Sequence, residues 1–265
     1  MNGKQWHGWG PEQAEQHYLI EPRALAGGGP IRHISEFLRA SGWRDKSKTG
    51  LLHMASPDRT LRVAYDPHTI PGGWTIHGRA AGANGEWSAH LGLQTPVEIV
   101  AGLTDALTQP RSAHAPNVWA PLQEQHWHTR FEGQHYTATS PDGTAWLQYH
   151  QSPDGSTMWW TGAKDQQDNG WTANLTSTTP LHLVQAFATE LAGPDPVMRP
   201  RGRVPNSAQI RTRSVSVTPS QLSAWQQARI TAARAATWAR NSARTTRQRA
   251  GTRPASSTVG ARTRR

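Results

Sequence analysis

Ser56-Pro57-Asp58-Arg59-Thr60 with Tyr65 five residues on, and Ser140-Pro141-Asp142-Gly143-Thr144 with Tyr149 five residues on, are one phrase written twice. Working outward from this pair at a constant offset, residues 33–107 align with 117–191 without a gap, and 15 of the 75 columns are identical. The shared columns include Leu38/Leu122, Trp43/Trp127, Gly78/Gly162, Trp87/Trp171, Leu91/Leu175, Thr95/Thr179, Pro96/Pro180 and Leu107/Leu191. Tryptophans, prolines and turn residues matching in one register mark an internal duplication, and a duplication governs every later reading of a fold.

Each copy reads locally in the same way. Residues 34–41 place Ile34, Phe37 and Leu38 on one helical face. Extended runs follow near 51–55, 61–65, 74–79 and 87–91. Ser-Pro-Asp between the first two runs suits a type I turn, which Gly143 completes in the second copy. Pro71-Gly72-Gly73 and the hairpin dipeptide Asn84-Gly85 mark two more turns. A closing helix begins at Thr95 as cap, with Pro96 at the first helical position and Glu98 three residues after the cap, the pattern of a capping box. Ile99, Val100, Leu103 and Leu107 recur at helical spacing, matched by Leu183, Val184, Phe187 and Leu191. Pro121 interrupts the first helix of the second copy.

The fold class is therefore α+β: two tandem α-β-β-β-β-α modules with antiparallel meander sheets, followed by an Arg-rich helix and a disordered tail. Residues 1–16 form an N-terminal segment, 17–110 the first module, 111–193 the second, 194–218 a Pro/Arg linker, 219–250 a basic helix and 251–265 the tail. Residues 17–20 offer an extra strand before the first copy. A module of this size is marginal alone, which gives the two a reason to dock.

Charge separates along the chain. The net charge is +10, with 28 basic residues against 18 acids. All 18 acids lie between Glu12 and Asp195, whereas 15 Arg and no acid follow Met198. The chain up to Met198 thus holds 13 of the basic side chains and stands at −5, against +15 for the remainder. Cysteine is absent, which excludes disulfides, thiol nucleophiles and thiolate metal sites. Residues 1–11 lack the apolar core of a signal peptide, and no run reaches the length of a membrane span, so the expected location is cytoplasmic, with no membrane partner.

Strand alternation assigns the repeated columns to the cores. The opposite faces differ: Arg62, Asp66, His77, Arg79 and His90 in the first copy; Trp146, Gln148, His150, Trp159 and Thr161 in the second. Trp146 and Trp159, standing where the gapless alignment has Arg62 and Thr75, are the candidate ligand face, suited to stacking a base, a sugar or a peptide. The Ser-Pro-Asp turn is not read as a catalytic serine, because no histidine recurs in both copies to serve as its base. His126, His128, His135 and His150 raise a metal question on spacing alone, without a zinc motif, so no metal and no cofactor is expected. Gly27-Gly28-Gly29-Pro30 lacks the lysine of a phosphate loop and reads as a turn.

The repeated phrase, with Leu25-Ala26-Gly27-Gly28-Gly29 upstream and Thr95-Pro96-Val97-Glu98-Ile99-Val100 downstream, resembles the actinomycete SPDY domain family of unknown function, whose members are similar in carrying two tandem copies. The resemblance spans residues 18–191 and implies no activity, cofactor or catalytic residue.

The C-terminal helix interleaves Trp225 and Trp238 with Arg229, Arg234, Arg240, Arg244, Arg247 and Arg249. A polycation of this kind gathers phosphates by counterion release. The expected function is a non-catalytic interaction protein whose tail binds nucleic acid without sequence preference. The alternative is a protein-binding or scaffold module using the second-copy tryptophan face, and the third reading is a hydrolase.

Overall fold

The computed structural model describes residues 13–79, 85–110, 114–133, 135–151 and 155–251, the last sixteen of these in backbone only. The elements in chain order are β1 (Glu15–Glu21), α1 (Arg32–Ala40), β2 (Arg44–Asp45), β3 (Leu52–Ala55), β4 (Leu61–Asp66), β5 (Gly73–Arg79), β6 (Glu86–Gly92) and α2 (Val97–Ala106). There follow α3 (Ala120–Glu124), β7 (His128–Glu132), β8 (His135–Thr139), β9 (Ala145–Gln151), β10 (Thr157–Lys164), β11 (Gly170–Thr176) and α4 (Leu181–Ala192), then β12 (Val197–Pro200), β13 (Arg211–Val217) and α5 (Pro219–Gly251). The fold is α+β with two tandem antiparallel meanders. Each copy carries one strand more than expected, because β2 and β7 precede the four predicted runs.

The meanders are not separate sheets. They join through β6 and β11 into one ten-stranded antiparallel sheet, ordered β2-β3-β4-β5-β6-β11-β10-β9-β8-β7. The seam pairs Ala89 with Leu175, His90 with Asn174 and Leu91 with Ala173. Thr176 Oγ1 reinforces it, accepting from Ser88 N at 3.1 Å, and Thr178 Oγ1 donates to the carbonyl of Glu86 at 3.1 Å. Docking thus extends the ladder and lets both modules contribute to one apolar cluster, including Trp87, Ile99 and Leu103 from the first and Trp171, Val184 and Phe187 from the second. Helices α1–α4 lie over this core face, and α2 approaches α4 so closely that a Cβ on Gly102 would meet Glu190 and the carbonyl of Ala186.

Helix ends follow rules that the copies share. The amides of Trp43 and Trp127 each bond, at 3.0 Å, to the carbonyl five residues back, Leu38 and Leu122. This is a Schellman closure, which needs a left-handed residue just before the tryptophan. Gly42 supplies it in the first copy (φ +87) and His126 in the second (φ 58). His126 is therefore a helix-closing residue rather than a strand neighbour of His128. Pro121 shortens α3 rather than abolishing it: it sits in the first turn, where a missing N–H costs nothing, and Asn117 Oδ1 accepts from the amides of Trp119 and Ala120.

The capping box at Thr95 does not form. Pro96 is the cap residue, extended at ψ 130, the helix begins at Val97, and no side chain caps it. Glu98 turns instead to Arg199, which donates from both terminal nitrogens to both carboxylate oxygens at 2.8 Å. Arg199 also donates to the carbonyl of Gly27 and is only 2 % exposed.

That ion pair belongs to a larger departure. Residues 194–218, expected as a Pro/Arg linker, instead form β12 and β13. These flank β1 in a three-stranded sheet, β12-β1-β13, with a small core of Ile20, Ala26 and Val197. The extra strand near 17–20 thus exists, but its partners come from the far end of the chain.

Candidate nucleic-acid interface

The repeated Ser-Pro-Asp phrase is a structural device. Ser56 Oγ donates to Asp58 Oδ1 at 2.6 Å, and the same oxygen accepts from Thr60 N at 3.1 Å and Thr60 Oγ1 at 2.9 Å. Ser56 Oγ in turn accepts from Leu61 N at 3.0 Å. Ser140, Asp142, Thr144 and Ala145 repeat this network at 2.6, 3.0, 2.9 and 2.9 Å. The Ser56 hydrogen bond leads in holding the Asp58 carboxyl below its usual range; burial opposes ionisation of Asp142, but its hydrogen bonds outweigh burial there too. The serine hydroxyls are engaged in building the turn and starting the next strand.

The tryptophan face needs a correction. Tyr65 pairs with Trp74 in the first copy, and Tyr149 pairs with Trp159 in the second. Residues opposite one another on adjacent strands share a face. Trp159 therefore points into the core with Tyr149, 5 % exposed, its ring centroid 4.7 Å from that of Tyr149 and 5.6 Å from that of Trp119. Thr161, also expected on the open face, is fully buried and donates to the carbonyl of Trp146 at 2.7 Å. A slip of one residue moves every side chain of a strand to the other face, so the indole that β10 turns to the open face is Trp160, opposite Gln148 and 41 % exposed.

Trp146 does lie on the open face, half-buried. It pairs with Gly162, and a Cβ there would stand 2.7 Å from the indole, so the ring rests on the glycine backbone. Its diagonal neighbour is Trp160. Beyond them His150 and His135 stack at 4.5 Å with their Nδ1 atoms 2.8 Å apart. Among the described residues no group of three or more potential metal ligands occurs. Across the seam the same face carries Arg62 and His77, paired with each other across β4 and β5, and His90, paired with Thr75.

The predicted arginines divide into two sets. Arg229 is engaged by the fold: its Nη2 donates to both oxygens of Asp105 at 2.7 and 2.8 Å, its Nη1 donates to the carbonyl of His33, and the guanidinium sits 4.3 Å over the Phe37 ring. With Gln226 on Glu36 and the buried Ile230 and Ala233, it fastens α5 to α1. Arg234 and Trp225 are exposed, as are Arg201, Arg203, Arg211 and Arg213. The side chains of Trp238, Arg240, Arg244, Arg247 and Arg249 lie outside the described residues.

Around Arg229 lies a cleft of about 470 Å³, lined by Arg23, His33, Glu98, Asp105 and Glu190. Its charges pair off as Arg229 with Asp105, Arg199 with Glu98 and Arg23 with Glu190. Burial pushes Asp105 up to about 6 against the pull of Arg229, whereas burial and then the Arg229 charge push His33 down to about 4. Burial also disfavours ionised Glu98, but Arg199 overrides it and holds that carboxyl low. Complete pairing makes the cleft a joint between helices. The sequence offered no sign of it, because Arg23, Arg199 and Arg229 are remote from their partners along the chain.

Residues 55–113 and 139–197 each match the model of SPDY, a domain of unknown function (DUF317). The two matches are offset as Ser56 is from Ser140, in step with the repeat. Both copies of the repeat thus resemble the SPDY domain. Each match begins at the last residue of β3 or β8 and runs through the closing helix, so α1, α3 and nearly all of the strands before the Ser-Pro-Asp turns lie outside the matched segments. No curated protein and no solved structure matches it.

Proposed function

We propose that this tandem-repeat chain is a cytoplasmic, non-catalytic interaction protein that holds nucleic acid through its arginine-rich C-terminal arm. The observation that carries the reading is the segregation of charge: 15 Arg and no acid after Met198. Arg199 and Arg229 are consumed by the fold, but Arg201, Arg203, Arg213 and Arg234 face solvent. Phosphate contacts made by such residues release counterions, so affinity falls with salt whatever the base sequence.

The test uses the full chain, since truncation before Val197 would also remove β12 and β13 from the sheet around β1. Binding of a short duplex is measured by fluorescence anisotropy for the native protein and for a variant with Arg240, Arg244, Arg247 and Arg249 changed to Gln. Between about 50 and 200 mM salt, the slope of log affinity against log salt should flatten by roughly 3 to 4 in the variant. Equal affinities and equal slopes would sink the reading. The alternative, a protein-docking role for the tryptophan face, now rests on Trp146 and Trp160, because Trp159 is in the core.

A further inference from the structure

A bare face on an antiparallel sheet is ordinary, since such sheets commonly leave one side to water. What covers this one is not. Among ordinary polar residues such as Thr75, Gln148 and Thr172, this face carries Trp146, Trp160 and Met158 in one half and Arg62, His77 and His90 in the other. Three carboxylates fall on the face: Asp66 and Glu132 at the ends of β4 and β7, and Glu86 at the start of β6. Each is engaged: Asp66 accepts from His68 N, Glu86 pairs with Arg79 and Glu132 with Arg130. Among the described residues no carboxylate pairs with Arg62. The face thus carries its open indoles at one side of the seam and the Arg62 guanidinium, beside His77 and His90, at the other.

We infer that the open face of the ten-stranded sheet binds a single strand of nucleic acid, with bases stacked on Trp160 and Trp146 and the backbone running across the seam toward Arg62. The geometry of the platform supports each part. Gly162 gives Trp146 a flat seat on β10, with no side chain beneath it. Trp160, its diagonal neighbour, is the most exposed indole on the sheet, and Gln148 between them can donate and accept at a base edge. From β9 to β4 are five strand spacings, about 24 Å at the usual separation, room for several nucleotides. Indoles stack any base, and a duplex hides its base faces, so such a platform selects single strands without reading sequence. The apolar face of a second copy would meet indoles on only one side of the seam, whereas the polar side around Arg62 suits a phosphate backbone.

This inference deepens the nucleic-acid reading but uses a site distinct from the arm, and the test separates the two. Full-length native protein, W160A, R62Q and the four-arginine arm variant are titrated with an oligo-dT strand and with a duplex of equal length. Folding of each is checked by circular dichroism. W160A should weaken oligo-dT binding roughly tenfold and leave the duplex unchanged; R62Q should weaken oligo-dT less and flatten its salt dependence. The arm variant should weaken both ligands. If W160A and R62Q bind oligo-dT like the native protein, or lose strand and duplex equally, the platform is overturned while the arm reading stands. If they lose oligo-dT selectively and the arm variant changes nothing, the arm reading fails and the platform survives. Retained oligo-dT binding together with altered self-association in W160A would assign the face to a second copy and also overturn the inference.

Discussion

Trp74 and Trp159 hold equivalent places in the two halves of the sheet, each opposite the tyrosine of its own Ser-Pro-Asp phrase, although the step from Trp74 to Trp159 is one longer than that from Tyr65 to Tyr149. Both are buried, at 3 and 5 % exposure. The indole that follows the second of them, Trp160, is the one turned to solvent.

Adjacent tryptophans on β10 should therefore behave oppositely. Trp159→Ala opens a cavity in the core and should cost about 3–5 kcal/mol in urea unfolding. Trp160→Ala should change stability by no more than about 0.5 kcal/mol. A reversed ranking would contradict the register of β9 and β10.

The copies also exchange glycines. At the end of the Ser-Pro-Asp turn Gly143 has φ +73, where the first copy has Arg59 at φ 63; at the end of the first helix Gly42 has φ +87, where the second copy has His126 at φ 58. Each non-glycine residue there carries left-handed strain of about 1 kcal/mol. Arg59→Gly and His126→Gly should each raise stability by up to about 1 kcal/mol by thermal or urea unfolding. Nothing lies within 4 Å of a Cβ at Gly42 or Gly143, so Gly42→Ala and Gly143→Ala should lose a similar amount through the backbone alone.

Arg199 and Glu98 form the most buried ion pair on the protein's sheet-to-helix joint, with the arginine 2 % exposed. Removing one member leaves the other charged and unpartnered. Glu98→Gln or Arg199→Met should cost about 3–5 kcal/mol, and the double variant less than the sum of the two. Additive losses in a double-mutant cycle would contradict a direct pair.

The α5 joint carries opposed titrations. His33 is lowered to about 4 from 6.5, so its neutral form is favoured in the fold; the stability this gives is present above pH 6.5 and is lost as pH falls toward 4. Asp105 is raised to about 6 from 3.8, so its protonated form is favoured; the fold gains from it below pH 4 and loses as pH rises to 6. The two largely cancel between pH 4 and 6. Relative to native protein, His33→Gln should grow more stable on acidification from pH 6.5 to 4, and Asp105→Asn less stable, each by about 3 kcal/mol. Parallel pH curves for all three proteins would refute this assignment.

Much of this was legible in the sequence, and the misreadings have identifiable causes. The core columns and turns repeat because each copy solves the same packing problem. The face of Trp159 was lost to two compensating changes of loop length. Gly73 follows its partner Asp66 by seven residues, whereas Met158 follows His150 by eight; Trp87 follows Gly78 by nine, whereas Trp171 follows Ala163 by eight. A gapless alignment is therefore in phase on both flanks and wrong in the strand between, where one residue inverts the faces. β12 escaped notice because prolines suit an edge strand's end as well as a linker, and β13 because its partner β1 lies at the opposite end of the chain, beyond both modules. The open face itself was visible as Arg62, His77, His90 and Trp146, since alternation alone places them.

The pairing of β1 with β13 has a mechanical consequence. Val217, where the chain leaves for α5, lies opposite Glu15, and Glu21, where β1 leads into the first module, lies opposite Arg211. Tension on the arm, once α5 has parted from α1, therefore pulls the two strands from opposite ends and loads their seven residue pairs together in shear instead of unzipping them singly. A ligand tugging on the arginine-rich arm therefore hauls against β1 and, through Glu21, against the first module.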